Sequence, residues 1–202
     1  MESDFIYERI KLAPRLKVEL VTGGERYSGK VWREIARQIY CENGKDDFRE
    51  LGHYPSGAPF IYGEDSRISI SHTDGCFAVA TLAVPSDSNL AEFSPETALG
   101  VDVERADREK VMKLRSRFLS EEEEAVVPDT LEANVIAWTC KEALLKASMD
   151  ATIDWRHKLR ILRLPRFDAP GRGRIILGDT YHDLSLVTRL SSPFIITVGW
   201  KS

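Results

Sequence analysis

The sequence predicts an α+β fold built from two similar halves, residues 1–97 and 98–202, packed as one compact unit. Three observations predict it. A strand, helix, strand, strand order occurs twice, at a spacing of roughly 100 residues. The apolar pattern alternates between a period of two and a helical period. A stretch with two prolines and three serines, Pro85 to Thr97, separates the repeats.

Leu16 to Val21 alternates, with Leu16, Val18 and Leu20 on one face and Lys17 and Glu19 on the other, which predicts a half-buried strand. Ser28 to Tyr40 reads as a helix with Val31, Ile35 and Ile39 on its buried side and a basic stripe of Arg26, Lys30, Arg33 and Arg37. Arg67 to Ser71 and Phe77 to Val84 read as strands about a Thr73-Asp74-Gly75 turn. In the second half, Leu99 to Glu104 alternates as a strand, and Arg108 to Leu119 reads as a charged helix. Leu131 to Met149 has helical periodicity, and a strand is expected near Leu159 to Leu164. Leu184 to Thr188 and Phe194 to Trp200 form a terminal strand pair.

With 43% hydrophobic and 30% charged residues, the chain can bury a core and keep a solvated surface, which excludes a disordered or collagen-like chain. A formal charge of −4 argues against a nucleic-acid coat, so no nucleic-acid partner is expected. Cys41, Cys76 and Cys140 lack zinc-site spacing and are odd in number, so reduced thiols in a cytoplasmic protein are expected. The opening residues carry no signal-peptide pattern, and the longest apolar run, Cys76 to Val84, is too short to span a bilayer. No membrane association is expected.

Two anomalies carry chemistry. In Gly100-Val101-Asp102-Val103-Glu104 the two acids share one face of a strand, roughly 7 Å apart at their Cα atoms. Like charges so placed repel, so the pair marks either a solvated edge or a cation site. In the helix, Leu131, Val135, Trp138, Leu145 and Met149 form an apolar stripe, and Glu142 stands where the stripe calls for an apolar residue. A carboxylate there is paired, protonated or bound to a cation. Lys146, four residues on, offers the pairing. Together the three acids make a hard, all-oxygen donor set of the kind that suits Mg²⁺. Lys141, Lys146 and the basic stripe supply anion-binding charge, so the chemistry expected is magnesium-dependent attack at phosphorus. His72 ends a strand before a turn, where a lone histidine is more often an exposed or hydrogen-bonded structural residue. The acids after Ser120 read as an N-capped helix start, and the basic stretch Arg156 to Arg174 as solvated surface.

Taken in order, Ser71-His72, Gly100-Val101-Asp102-Val103-Glu104, Arg117-Phe118-Leu119-Ser120 and Trp138-Thr139-Cys140-Lys141-Glu142-Ala143-Leu144-Leu145-Lys146 resemble the motifs of the 4′-phosphopantetheinyl transferase superfamily. Length and apparent duplication look like its larger, surfactin-synthetase-activating type, a pseudo-two-fold fold. The resemblance implies transfer of 4′-phosphopantetheine from coenzyme A to a serine of an apo acyl or peptidyl carrier protein. It implies that the first half contributes to coenzyme A binding and the second carries the transferase motifs. It implies Asp102, Glu104 and Glu142 as Mg²⁺ ligands and Glu142 and Lys146 as catalytic residues. Coenzyme A contacts are implied for Arg26, Ser28, Ser71, His72, Lys141 and Lys146. Carrier docking is expected at Arg108 to Arg117, or else at Arg156 to Arg174. Two departures stand out: Gly57-Ala58-Pro59 replaces the family's Gly-Lys-Pro, and Ala147-Ser148-Met149-Asp150 replaces its Gly-x-Gly. The rival readings are a magnesium-dependent phosphodiesterase or nuclease and a non-catalytic carrier-binding module.

Overall fold

A computed structural model describes residues 5–23, 29–44 and 51–201. The first sheet contains β1 (Ile6–Ala13), β2 (Leu16–Thr22), β5 (Ser66–Thr73) and β6 (Cys76–Ala83), in the order β1-β2-β6-β5 with every pairing antiparallel. Between β2 and β5 lie helix α1 (Gly29–Gly44) and a small hairpin of β3 (Leu51–His53) and β4 (Pro59–Ile61). The second sheet begins with β7 (Leu99–Arg105). It continues, after helices α2 (Lys110–Phe118), α3 (Glu121–Val126) and α4 (Leu131–Ser148), with β8 (Leu159–Arg163), β9 (Gly171–Leu177), β10 (Thr180–Ser191) and β11 (Phe194–Trp200). Its order is β7-β11-β10-β9-β8.

Alternation along each strand sets the layers. Leu16, Val18 and Leu20 of β2 and Ala78 and Ala80 of β6 meet Val101, Val103, Ile196 and Val198 of the second sheet in one apolar cluster. The two sheets therefore stack face to face. On the outer face of the first, Val21, Phe77 and Val79 receive Trp32 and Ala36 of α1. On the outer face of the second, Leu159, Ile175, Leu184 and Ile195 receive Val135, Ile136, Cys140 and Leu144 of α4. Each half thus contributes an antiparallel sheet with a helix on its outer side.

Several expectations change. The buried side of α1 is Trp32 and Ala36 with the expected Ile39 packed beside them, while Val31 is 54% exposed, because the helix presents its largest apolar side chain to the sheet. Strand β1 was not expected; it is an edge strand whose Ile6 faces solvent, so its alternation is imperfect. The Arg156 to Arg174 stretch is more than solvated surface, since β8 and the start of β9 run through it and bury Leu159 and Ile161. The expected linker from Pro85 to Thr97 is irregular until a short 3-10 turn at Pro95–Thr97, yet it is fastened. The buried Arg67 guanidinium donates to the carbonyl oxygens of Leu90, Glu92 and Thr97. The three cysteines are free thiols, Cys76 and Cys140 buried. No helix among the described residues is long and apolar enough to cross a membrane.

Candidate active site

The site forms where β7 lies between β5 and α4. Val101 and Val103 point into the inter-sheet core, so Gly100, Asp102 and Glu104 share the opposite face. Gly100 decides how near α4 can come: a Cβ there would lie 1.8 Å from the Ala143 carbonyl oxygen. Any side chain at this position would push the helix off the strand. The close approach brings Lys146 over the acids, its ammonium donating to Asp102 Oδ1 at 2.8 Å and to the Val101 carbonyl at 2.9 Å.

Asp102 and Glu104 are 6% and 4% exposed, so the pair is no solvated edge. Strand β5 meets them with a row of hydroxyls. Ser71 donates to Asp102 Oδ1 at 2.7 Å, and Thr73 donates to Glu104 Oε1 at 3.1 Å. Glu104 also accepts from the Arg105 N–H and is paired with Arg108, whose guanidinium lies over the Trp138 ring. Glu142 lines a cavity of about 350 Å³ together with Leu145, Lys146, Met149, Ile68, Ile70 and Pro59. Burial raises its carboxyl above the ordinary range, and the charge of Asp102 raises it further, against the lowering effect of Lys146 and Arg108. Of the apolar stripe read along α4, Leu145 and Met149 line this cavity beside Glu142, whereas Val135 is buried against the second sheet. The residues the helix buries completely, Ala143, Leu144 and Ala147 among them, lie on the side facing the sheet.

Two further cavities continue the first. One of about 700 Å³ shares Gly57, Pro59 and Ile70 with it and adds Lys30, Arg37, His53 and His72. The other, of about 440 Å³, shares His72 with the second and is lined by Trp32, Thr73, Glu104, Asp107 and Arg108. A groove thus runs past β5, with exposed His72 at its middle and acids along one wall.

Two residues implied by the resemblance lie elsewhere. Lys141 has no exposed side-chain surface; its ammonium donates to Glu123 at 2.7 Å, to the Trp155 carbonyl at 3.1 Å and to the Leu159 carbonyl. An ammonium so enclosed does not reach a phosphate. Burial lowers its pKa to about 8 even with the Glu123 charge opposing the shift. Ser71 is 5% exposed, and its hydroxyl is committed to Asp102 and the Val103 N–H, so it too does not face the groove. Arg26 and Ser28 lie outside the described residues. Unexpected contributors are Arg108, Thr73 and Ser69. The two hydroxyl residues had a readable signal, since Ser69, Ser71 and Thr73 alternate along one strand face.

Whether the acids suit a metal ion turns on charge and donor type. The donors are all carboxylate oxygens, which a hard divalent cation prefers. Asp102 is close enough for its charge to act on Glu142, and positive charge stands beside the acids: Lys146 at Asp102 and Arg108 at Glu104. Among the described residues no group of three or more His, Cys, Asp or Glu is arranged about a common metal position. The donor chemistry fits a hard cation, which would take the place that Lys146 and Arg108, 28% and 38% exposed, hold beside the acids here.

Residues 98–197 match the family model of the 4′-phosphopantetheinyl transferase superfamily. The matched stretch holds Asp102 and Glu104 of β7 and Glu142 and Lys146 of α4. It supports a phosphopantetheinyl transferase activity in general terms. Coenzyme A and a carrier protein are the partners the superfamily implies. No curated protein matches the chain.

Proposed function

We propose that this protein transfers 4′-phosphopantetheine from coenzyme A to a serine of an apo acyl or peptidyl carrier protein, as a holo-acyl-carrier-protein synthase does. The observation that carries the reading is the placing of Glu142 and Glu104 along one groove long enough for an extended ligand, with Asp102 and Lys146 paired between β7 and α4. Two stacked sheets, each with a helix on its outer face, support the larger, pseudo-two-fold type within the superfamily. They also support a first half, 1–97, that lends its groove wall to coenzyme A and a second, 98–202, that supplies the acids. Free, buried thiols fit a reducing, cytoplasmic setting.

Asp102, Glu104 and Glu142 would hold a Mg²⁺ ion, which when bound supplies positive charge for the pyrophosphate of coenzyme A. Lys30, Arg37 and His72 line the groove where the phosphates of the nucleotide end would lie. Lys146, released from Asp102, stands ready to donate to a phosphate oxygen. The carrier serine oxygen forms a bond to the β-phosphorus, the bond to the departing 3′,5′-ADP breaks, and the serine proton leaves. Glu142, which lines the groove, is the group placed to receive it, directly or through one water.

The test is the mass of an apo carrier protein incubated with coenzyme A, Mg²⁺ and this protein. A gain of one phosphopantetheine is expected, and its loss in Asp102→Asn. An unchanged carrier mass, with the carrier bound or with coenzyme A hydrolysed instead, overturns the reading in favour of a binding module or a phosphodiesterase.

A further inference from the structure

We infer that the alternating hydroxyls of Ser69, Ser71 and Thr73 are positioning residues: they clasp β7 from the neighbouring sheet and fix where the Asp102 and Glu104 carboxylates stand. The two strands belong to different sheets, each at its sheet's edge, so no backbone ladder joins them. Along β7, successive N–H groups point to opposite sides, and those not bonded to β11 need another acceptor in a buried place. Ser69 accepts from the Val101 N–H at 3.0 Å, and Ser71 accepts from the Val103 N–H at 3.3 Å. Both serines are buried, at 3% and 5% exposure.

The same row then turns from backbone to side chain. Ser71 uses its own hydrogen to hold Asp102, and one step further Thr73 holds Glu104. Thr73 is itself pinned from the other side, because the Trp32 indole N–H donates to its carbonyl at 3.1 Å. A residue spacing of two along β5 thus matches the spacing of two between the acids on β7. The consequence is that the first half sets the separation of two carboxylates belonging to the second. Ser71 acts through Asp102, and Thr73 through Glu104, without touching substrate.

That the carboxylates so held bind a cation rests on the function proposed above; the clasp itself does not. The test uses the whole protein. Mn²⁺, followed by its electron paramagnetic resonance signal without coenzyme A or carrier, reports the acid site directly. Thr73→Val keeps shape and removes the hydroxyl, and it is expected to weaken Mn²⁺ binding about tenfold with the melting temperature little changed. Thr73→Ser is expected to restore it. Wild-type affinity in a folded Thr73→Val protein overturns the inference. A cycle of Ser71→Ala, Asp102→Ala and the double variant is read from melting curves in the absence of metal. Non-additive shifts are expected, and strictly additive ones overturn the clasp. Non-additivity in a protein that takes up no Mn²⁺ supports the clasp and overturns the metal reading instead.

Discussion

At the scale of single residues, Glu142, raised by burial and by Asp102, contrasts with another buried acid of the chain. Glu19 on β2 is fully buried and has its charge met by the Tyr7 hydroxyl at 2.6 Å, the Arg9 guanidinium at 2.6 Å and Lys17 at 3.6 Å. Burial pushes its carboxyl up, but those partners together outweigh burial and hold it below the ordinary value of 4.5. A depressed carboxylate adds stability that is complete above its unfolded pKa and is lost as pH falls through the folded one. Melting temperature should therefore fall on acidification below about pH 4.5. Glu19→Gln should flatten that fall while costing about 1.5–3 kcal/mol at neutral pH. A wild-type melting profile with no acid slope attributable to Glu19 would refute the assignment. His72 is exposed where two cavities meet. His72→Ala should raise the KM for coenzyme A several-fold with a smaller change in kcat, measured by carrier modification at varied coenzyme A.

At the scale of elements, two lysines of α4 have separate tasks although both sit in one motif. Lys141 ties α4 to α3 and β8 through Glu123. The Glu123 carboxylate also closes the capping box of α3 with Ser120 and accepts from the Ile161 N–H. This buried knot orients the helix so that the next residue, Glu142, faces the groove. Removing one partner of a buried ion pair costs about 3–5 kcal/mol. Lys141→Met should accordingly lower the melting temperature by several degrees, with kinetic losses that track the unfolded fraction. Lys146→Met leaves the nearly buried Asp102 carboxylate with Ser71 alone, so it should also lower melting, but by less because Lys146 is part exposed, while reducing transfer by the folded protein at least tenfold. Equal melting temperatures for the two variants would contradict this division. The sequence marked both lysines as one kind of group, since spacing along a helix does not say which face meets a neighbouring element.

At the scale of the whole molecule, the proposed function, with the acidic carrier protein that the family resemblance implies, leaves a chain of net charge −4 no long-range attraction to that partner, so docking would need a local patch. Lys110, Lys113 and Arg117 lie at steps of three and four on the exposed side of α2, beside the cavity that holds Glu104 and Arg108. Arg115 is not part of that patch. It turns inward and donates to the Asn134 side chain and to the carbonyls of Glu124 and Val127, where it caps the end of α3. Reversing Lys113 and Arg117 to glutamate should lower kcat/KM for the carrier about tenfold at low salt, with coenzyme A affinity retained. The difference from wild type should shrink as salt screens charges beyond about 8 Å. An undiminished kcat/KM would move docking to another face.

What the sequence by itself determined was chemistry and local structure: the strand bearing Asp102 and Glu104, the helix bearing Glu142 and Lys146, and the donor set they make. These are legible because periodicity and residue type are properties of neighbours along the chain. The placement of these groups came only with the tertiary structure. Gly100 admits α4 at a distance no pattern encodes, and Ser71 turns from the groove to Asp102 because β5 and β7 meet edge to edge. Lys141 goes to Glu123 rather than to a ligand because α3 and β8 close over it. In each case the deciding contact joins residues far apart in sequence, and burial then fixes which partner a polar group must take.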